Sequence, residues 1–196
     1  MVLPGLGGST AEWAGATHAL AWPIEMRGVL PPTGSAVVIG HSLGAVQALN
    51  VAVAHPDRVE AVVLTGGFFP PARGGRSAVA TIADYVRHRA SYVRDVARRK
   101  RAPRPTRRGV RELASLARLG IRPARFHAVA ANVRCPVLVI HGDADHVVPV
   151  AFARAALTRH PTWTYQEILD AGHFPHRDRP EVWAKIVAAW LEPLTP

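Results

Sequence analysis

The sequence predicts an α/β fold, with a doubly wound, mostly parallel sheet, and three observations carry that expectation. Short runs are apolar at nearly every position: Ala36-Val37-Val38-Ile39, Ala61-Val62-Val63-Leu64-Thr65 and Val137-Leu138-Val139-Ile140. Each reads as a buried strand rather than a half-exposed one. Segments of helical spacing or composition separate them, which is the alternation expected of parallel strands joined by helices. Finally, Gly40-His41-Ser42-Leu43-Gly44 lies between the first run and the helix formers Ala45-Val46-Gln47-Ala48-Leu49. A strand, a tight glycine-flanked turn and a helix therefore follow one another directly.

Taken in order, the chain opens with Met1-Val2-Leu3 and the loop Leu3-Pro4-Gly5-Leu6-Gly7-Gly8-Ser9, after which residues 10–20 are expected to be helical. Ile24-Glu25-Met26-Arg27-Gly28 reads as a short strand, and only residues 29–35 separate it from the strand at 36–39. Seven extended residues reach roughly 24 Å at most. A right-handed parallel crossover normally takes about a dozen or more. Either that loop runs bare across the sheet, or residues 24–28 are not a regular parallel strand. A missing crossover helix would expose apolar sheet surface and invite dimerisation.

Residues 43–54 should form a helix that stops before His55-Pro56-Asp57. Residues 150–160 should form another, and 163–169 the last strand. Residues 180–191 should be an amphipathic helix with Val182, Trp183, Ile186, Val187 and Trp190 toward the sheet. Between the strands at 61–65 and 136–141, two further helices are expected. Residues 77–100 space Val79, Ile82, Val86, Val93 and Val96 near the helical period, and 108–119 do so with Val110, Leu113 and Leu116. The prolines of residues 101–106 break the chain between them.

Length and composition fit one domain with a substantial core, at 196 residues of which 48% are hydrophobic. No run approaches the ~18 apolar residues needed to span a bilayer. The start shows no charged leader followed by an apolar stretch, so a cytoplasmic protein is expected. The single cysteine, Cys135, precedes a buried strand and reads as a structural thiol without a disulfide. The histidines are scattered without ligand spacing, so neither a metal nor a cofactor is expected.

Charge is unevenly placed. Residues 73–125 carry sixteen Arg or Lys against Asp84, Asp95 and Glu112, a balance of +13. The remainder holds eight basic and eleven acidic residues, a balance of −3, which returns the net +10. Such a block is either a solvated face or an attractor for an acidic partner: a substrate carboxylate, a thioester carrier, an acidic protein or an anionic surface. Arg98-Arg99-Lys100-Arg101 could grip phosphates, but no aromatic interleaving or nucleic-acid module accompanies it, so no specific nucleic acid is expected.

Ser42 on its turn has the context of a G-x-S-x-G nucleophile, and a serine hydroxyl needs a base and an orienting group. His141-Gly142-Asp143-Ala144-Asp145 follows the strand at 137–140, and Asp170-Ala171-Gly172-His173-Phe174-Pro175 comes later, so the order Ser, Asp, His is present. With the loop at residues 3–9, these segments resemble the α/β-hydrolase superfamily over roughly residues 3–176. The resemblance assigns Ser42 as nucleophile, Asp145 as acid, His173 as base, and the backbone N–H groups of Leu6 and Leu43 as oxyanion donors. Asp143 is the competing carboxylate and His176 the competing imidazole, while His41 reads as a packing residue. The family's cap insertion falls on the basic block, dividing the chain into a core (1–69 and 131–196) and a helical cap (70–130). Relative to the family pattern either the first strands are missing or the true start lies upstream, and Glu25 stands where Asp is usual.

The resemblance implies a serine hydrolase acting on a carboxylic ester or thioester of a small-molecule acyl substrate. A carbon–carbon bond hydrolase or lactonase would use the same residues. Relatives that carry Asp at the nucleophile position, the haloalkane dehalogenases and epoxide hydrolases, are excluded by Ser42. A reading of another class is an inactive hydrolase-fold protein that binds through its basic cap.

Overall fold

A computed structural model describes residues 1–3, 10–20, 30–69 and 123–194. Strand β1 (Val2–Leu3) is followed by a 3₁₀ turn (Thr10–Trp13) that runs into helix α1 (Ala14–Leu20). Then come β2 (Ala36–His41), α2 (Leu43–Ala54), β3 (Val59–Thr65) and α3 (Pro123–Ala131). The chain continues through β4 (Val137–Gly142), α4 (Val150–Leu157), β5 (Thr164–Ile168), α5 (Pro175–Asp178) and α6 (Pro180–Leu191).

The five strands form one parallel sheet in the order β1-β2-β3-β4-β5. Its inner strands are apolar at most positions because helices cover both faces. The pleat then sorts alternate residues into two layers. Val38, Val62, Leu64, Val137 and Val139 join the cluster that contains Leu49 of α2, Phe126 of α3 and Ala153 of α4. Ile39, Val63, Leu138 and Ile140 face the opposite cluster, built from Trp13, Leu20 of α1 and Trp183 and Val187 of α6. The edge strand β5 alternates in exposure, as a strand with one solvated side should, and only Ile168 is fully buried.

Expected and observed elements differ at their ends. Helices 43–54 and 180–191 have the expected bounds. The helix expected over 10–20 begins as a 3₁₀ turn, the one expected over 150–160 ends at Leu157, and the strand expected over 163–169 spans Thr164–Ile168. Helix α5 was not anticipated, because four residues are too few to show a period. Helix α3 lies within the interval assigned to the cap, yet its Phe126 and Ala130 are buried in the core cluster, with Phe126 edge-on to Phe69. Residues 24–28, and the cap helices at 77–100 and 108–119, lie outside the described residues. Ahead of β2, the Arg58 guanidinium donates to the carbonyls of Pro31 and Gly34, tying residues 31–34 to the start of β3. Among the described residues no helix is long and apolar enough to cross a membrane.

One buried polar pair links β3 to α6 across the second layer. Trp183 Nε1 donates to Thr65 Oγ1 at 3.0 Å, and both residues are fully buried. Thr65→Val keeps the shape but strands the indole N–H in a dry site. It is expected to cost about 1–3 kcal/mol, read as a lowered urea midpoint at unchanged slope.

Candidate active site

Strand β2 enters α2 through a single residue, Ser42, with φ 53° and ψ −117°. A side chain rarely adopts that backbone, and here it turns Ser42 out of the sheet. The approach of strand and helix is close enough to exclude any Cβ at position 40. A Cβ there would lie 2.4 Å from the Gly44 carbonyl oxygen and 2.7 Å from Ala45 Cα. The turn is tied to β3 and its following loop: Ser42 N–H donates to Thr65 O at 3.2 Å, and Ser42 O accepts from Phe68 N–H at 3.2 Å.

Two later loops converge on this turn. His173 follows β5, and its Nε2 lies 3.0 Å from Ser42 Oγ, while its Nδ1 lies 2.9 Å from Asp145 Oδ2. A carboxylate only accepts, so Nδ1 carries the proton, and Nε2 is left to accept from the serine hydroxyl. All three side chains are nearly buried, with Ser42 7%, Asp145 5% and His173 8% exposed. The His173 loop can come this near because β3 is followed by Gly66, at φ 51°, where a Cβ would lie 2.5 Å from the His173 carbonyl oxygen.

Asp145 is held by its own turn. Oδ1 accepts from the N–H groups of Val147 and Val148 at 2.8 and 2.9 Å, and Oδ2 also meets His141 Nε2 at 3.1 Å. Burial pushes the carboxyl pKa up, but the His173 charge and the hydrogen bonds from His141 and His173 outweigh it. The net result holds Asp145 well below the usual carboxylate range. The competing Asp143 is exposed. Leu43 is the first residue of α2, and among the described residues its N–H donates no hydrogen bond, so it is free to meet a ligand at the positive helix end. Leu6 lies outside the described residues.

Two other histidines sit behind His173. His41 Nε2 donates to the His173 carbonyl oxygen at 2.9 Å. His176 stacks on Trp13 with ring centroids 3.8 Å apart, and neither of its ring nitrogens is hydrogen-bonded. Burial, then the neighbouring charges of His173 and His176, lower the His41 pKa well below its ordinary value. Burial, followed by Arg177 and His173, pushes His176 down to about 3. Sequence reasoning gave no role to Gly66 or His141. The signals were a glycine at the C-terminal end of an apolar strand, and one imidazole at the end of an otherwise apolar strand.

The family described as "Alpha/beta hydrolase family" matches residues 1–186. A pimeloyl-[acyl-carrier protein] methyl ester esterase of Aromatoleum aromaticum is 29% identical over 213 residues, covering 94% of this chain and 83% of that protein. Among solved structures, NosK from Streptomyces actuosus has a TM-score of 0.64 at 21% identity, covering 100% of this chain and 97% of its own. A thermophilic esterase from Thermogutta terrifontis has a TM-score of 0.61 at 18% identity, covering 100% and 89%. At those identities the solved structures share the fold with this chain.

The buried imidazoles make stability depend on pH. Unfolded, His176 takes up a proton below its ordinary value of 6.5, whereas folded it resists protonation down to about 3. The unfolded state therefore binds more protons in that window, and stability, complete above pH 6.5, is lost as the pH falls. His176→Phe keeps a ring against Trp13 and removes the titrating group. It is expected to leave stability at neutral pH within about 1 kcal/mol and to flatten the acid loss. Urea midpoints at neutral and mildly acidic pH check this; an unflattened loss would place its origin elsewhere.

Proposed function

The chain belongs to the alpha/beta hydrolase family, and from that premise we propose that it is a serine hydrolase opening a carboxylic ester or thioester through an acyl-enzyme on Ser42. The observation that carries this reading is the continuous link from Asp145 through His173 to Ser42, at 2.9 and 3.0 Å, beside the start of a helix. His173 Nε2 takes the hydroxyl proton as Ser42 Oγ attacks the carbonyl carbon, and Asp145 stabilises the imidazolium. The oxygen of the tetrahedral intermediate is received by the Leu43 N–H and, by the family pattern, that of Leu6. His173 then returns its proton to the departing alcohol or thiol. Water, deprotonated by the same nitrogen, attacks the acyl group, and Ser42 leaves with a proton regained from His173. His41 and His176 take no part in these transfers, since His41 Nε2 is engaged by the His173 carbonyl oxygen, His176 is stacked on Trp13, and the imidazole at Ser42 Oγ is that of His173.

One further observation bears on substrate. Residues 73–125 carry a balance of +13, and a relative is an esterase of a methyl ester borne on an acyl-carrier protein. The substrate proposed here is accordingly an acyl ester with an acidic portion or carrier, met by a basic cap at residues 70–130.

The direct test is labelling with a fluorophosphonate probe. Mass spectrometry is expected to find the adduct on Ser42, and Ser42→Ala to lower kcat by roughly 10⁴-fold or more while remaining folded. Turnover surviving in that variant would overturn the mechanism. A well-folded wild-type protein that takes no label would point instead to a binding role. For the basic cap, raising salt is expected to increase KM for an acidic acyl ester and leave a neutral ester unaffected. Neutralising Arg98, Arg99, Lys100 and Arg101 should abolish that difference; equal salt responses at the outset would refute an acidic substrate.

A further inference from the structure

His141 is a buried titratable group that the proposed mechanism does not use, and it touches the acid. It sits near the C-terminal end of β4 with no exposed surface. Its Nε2 stands 3.1 Å from Asp145 Oδ2 and 2.8 Å from the Val148 carbonyl oxygen. Both oxygens only accept, so Nε2 carries the proton; it donates to the Val148 carbonyl, with Asp145 Oδ2 alongside at 3.1 Å. Nδ1 is buried and has no hydrogen-bond partner among the described residues. A proton there would be an unpaired donor in a dry site, so the hydrogen-bond pattern is that of the Nε2–H tautomer.

This N–H closes the turn that presents the acid. The Val148 N–H donates to Asp145 Oδ1 at 2.9 Å, while the Val148 carbonyl accepts from His141 at 2.8 Å, so one peptide segment is gripped on both sides. Oδ2 is shared by two rings, His173 at 2.9 Å and His141 at 3.1 Å. We propose that His141 is a positioning residue: it fixes the Asp145 carboxylate against its turn and shares the oxygen facing His173, moderating the pull of the acid on the base. The inference rests on the reading of Ser42, His173 and Asp145 as the catalytic set.

Among the described residues, several titratable groups face this pair of rings. Around His173 they are Asp145, His41 on β2 and His176 on α5; around His141 they are Asp145 and Glu167 on β5, itself ion-paired with Arg154. His41 and His176 are neutral at assay pH, and Glu167 stays ionised, so none of them changes charge when His141 is replaced. With the His141 N–H gone, Oδ2 would bear undivided on His173 and stabilise its imidazolium more. The acidic limb of kcat/KM, which reports the base in the free enzyme, must then move up.

His141→Leu is expected to raise that limb by roughly half a pH unit or more and to lower kcat about 10-fold. His141→Gln, which restores a donor near the Nε2 position, should bring the limb back toward wild type. A limb that stays in place or moves down in His141→Leu overturns the inference. The wild-type protein supplies a check that needs no variant to fold: imidazole nitrogen shifts should report a proton on His141 Nε2, and an Nδ1–H tautomer refutes it. Full turnover in Ser42→Ala would refute the catalytic set itself; loss of turnover there with an unshifted His141→Leu limb refutes only the role of His141.

Discussion

The backbone of Ser42 is the constraint on which the rest of the structure depends. At φ 53° and ψ −117° it occupies a region that costs on the order of 1–3 kcal/mol and survives only where the surroundings over-determine it. Here they do so from both sides. Leu43, Ala45, Val46 and Leu49 of α2 are buried, and each large apolar side chain buried contributes roughly 1.5–3 kcal/mol. The Ser42 peptide is bonded on one side to Thr65 and on the other to Phe68. Relaxing the turn would require α2 to leave the sheet, so the strain is offset by packing that has nothing to do with chemistry.

The parallel sheet then decides where everything else arrives. When all strands run the same way, their C-terminal ends lie along one edge, and ligands in open α/β sheets bind there. Ser42 follows β2, Gly66 follows β3, Asp145 follows β4 and His173 follows β5. Register converts that common edge into distances. With Gly40 opposite Leu64, Leu64 opposite Val139, and Val139 opposite Tyr165, the loops after these strands emerge side by side. The link from Ser42 through His173 to Asp145 spans 131 and 28 residues of sequence separation, and it is assembled by strand pairing.

Behind this edge the interior contains an unusual number of imidazoles. His41, His141 and His176 are buried with His173 between two layers of apolar side chains. A buried cation is costly unless paired, and burial holds the His41 and His176 pKa values low, so those two rings act as packing surfaces with one directed donor at most. His176 stacks on Trp13 and meets the rings of His41 and Trp183 edge-on. His41 supports the main chain of His173, and His141 supports the carboxylate of Asp145. The dryness of this interior strengthens each hydrogen bond in the chain that these rings surround.

Much of this was legible in the sequence. The apolar runs at 36–39, 61–65 and 137–140 read as strands because both faces of the sheet are covered, and helices 43–54 and 180–191 read correctly because their periods are long. The short helix Pro175–Asp178 was invisible, since four residues have no period, and Phe126 and Ala130 gave no sign that their helix joins the core. Two pairs of chemically equivalent candidates stood open as well. Asp143 and Asp145 share one loop, and His173 and His176 are three residues apart. The fold brings Asp145 and His173 together, leaves Asp143 exposed and turns His176 onto Trp13. The sequence by itself determined which segments are strands and helices and which residue types stand at the strand ends, because these follow from local periodicity and turn chemistry. Only the tertiary structure decided which of the equivalent side chains meet, because that depends on pairing register between segments far apart in the chain.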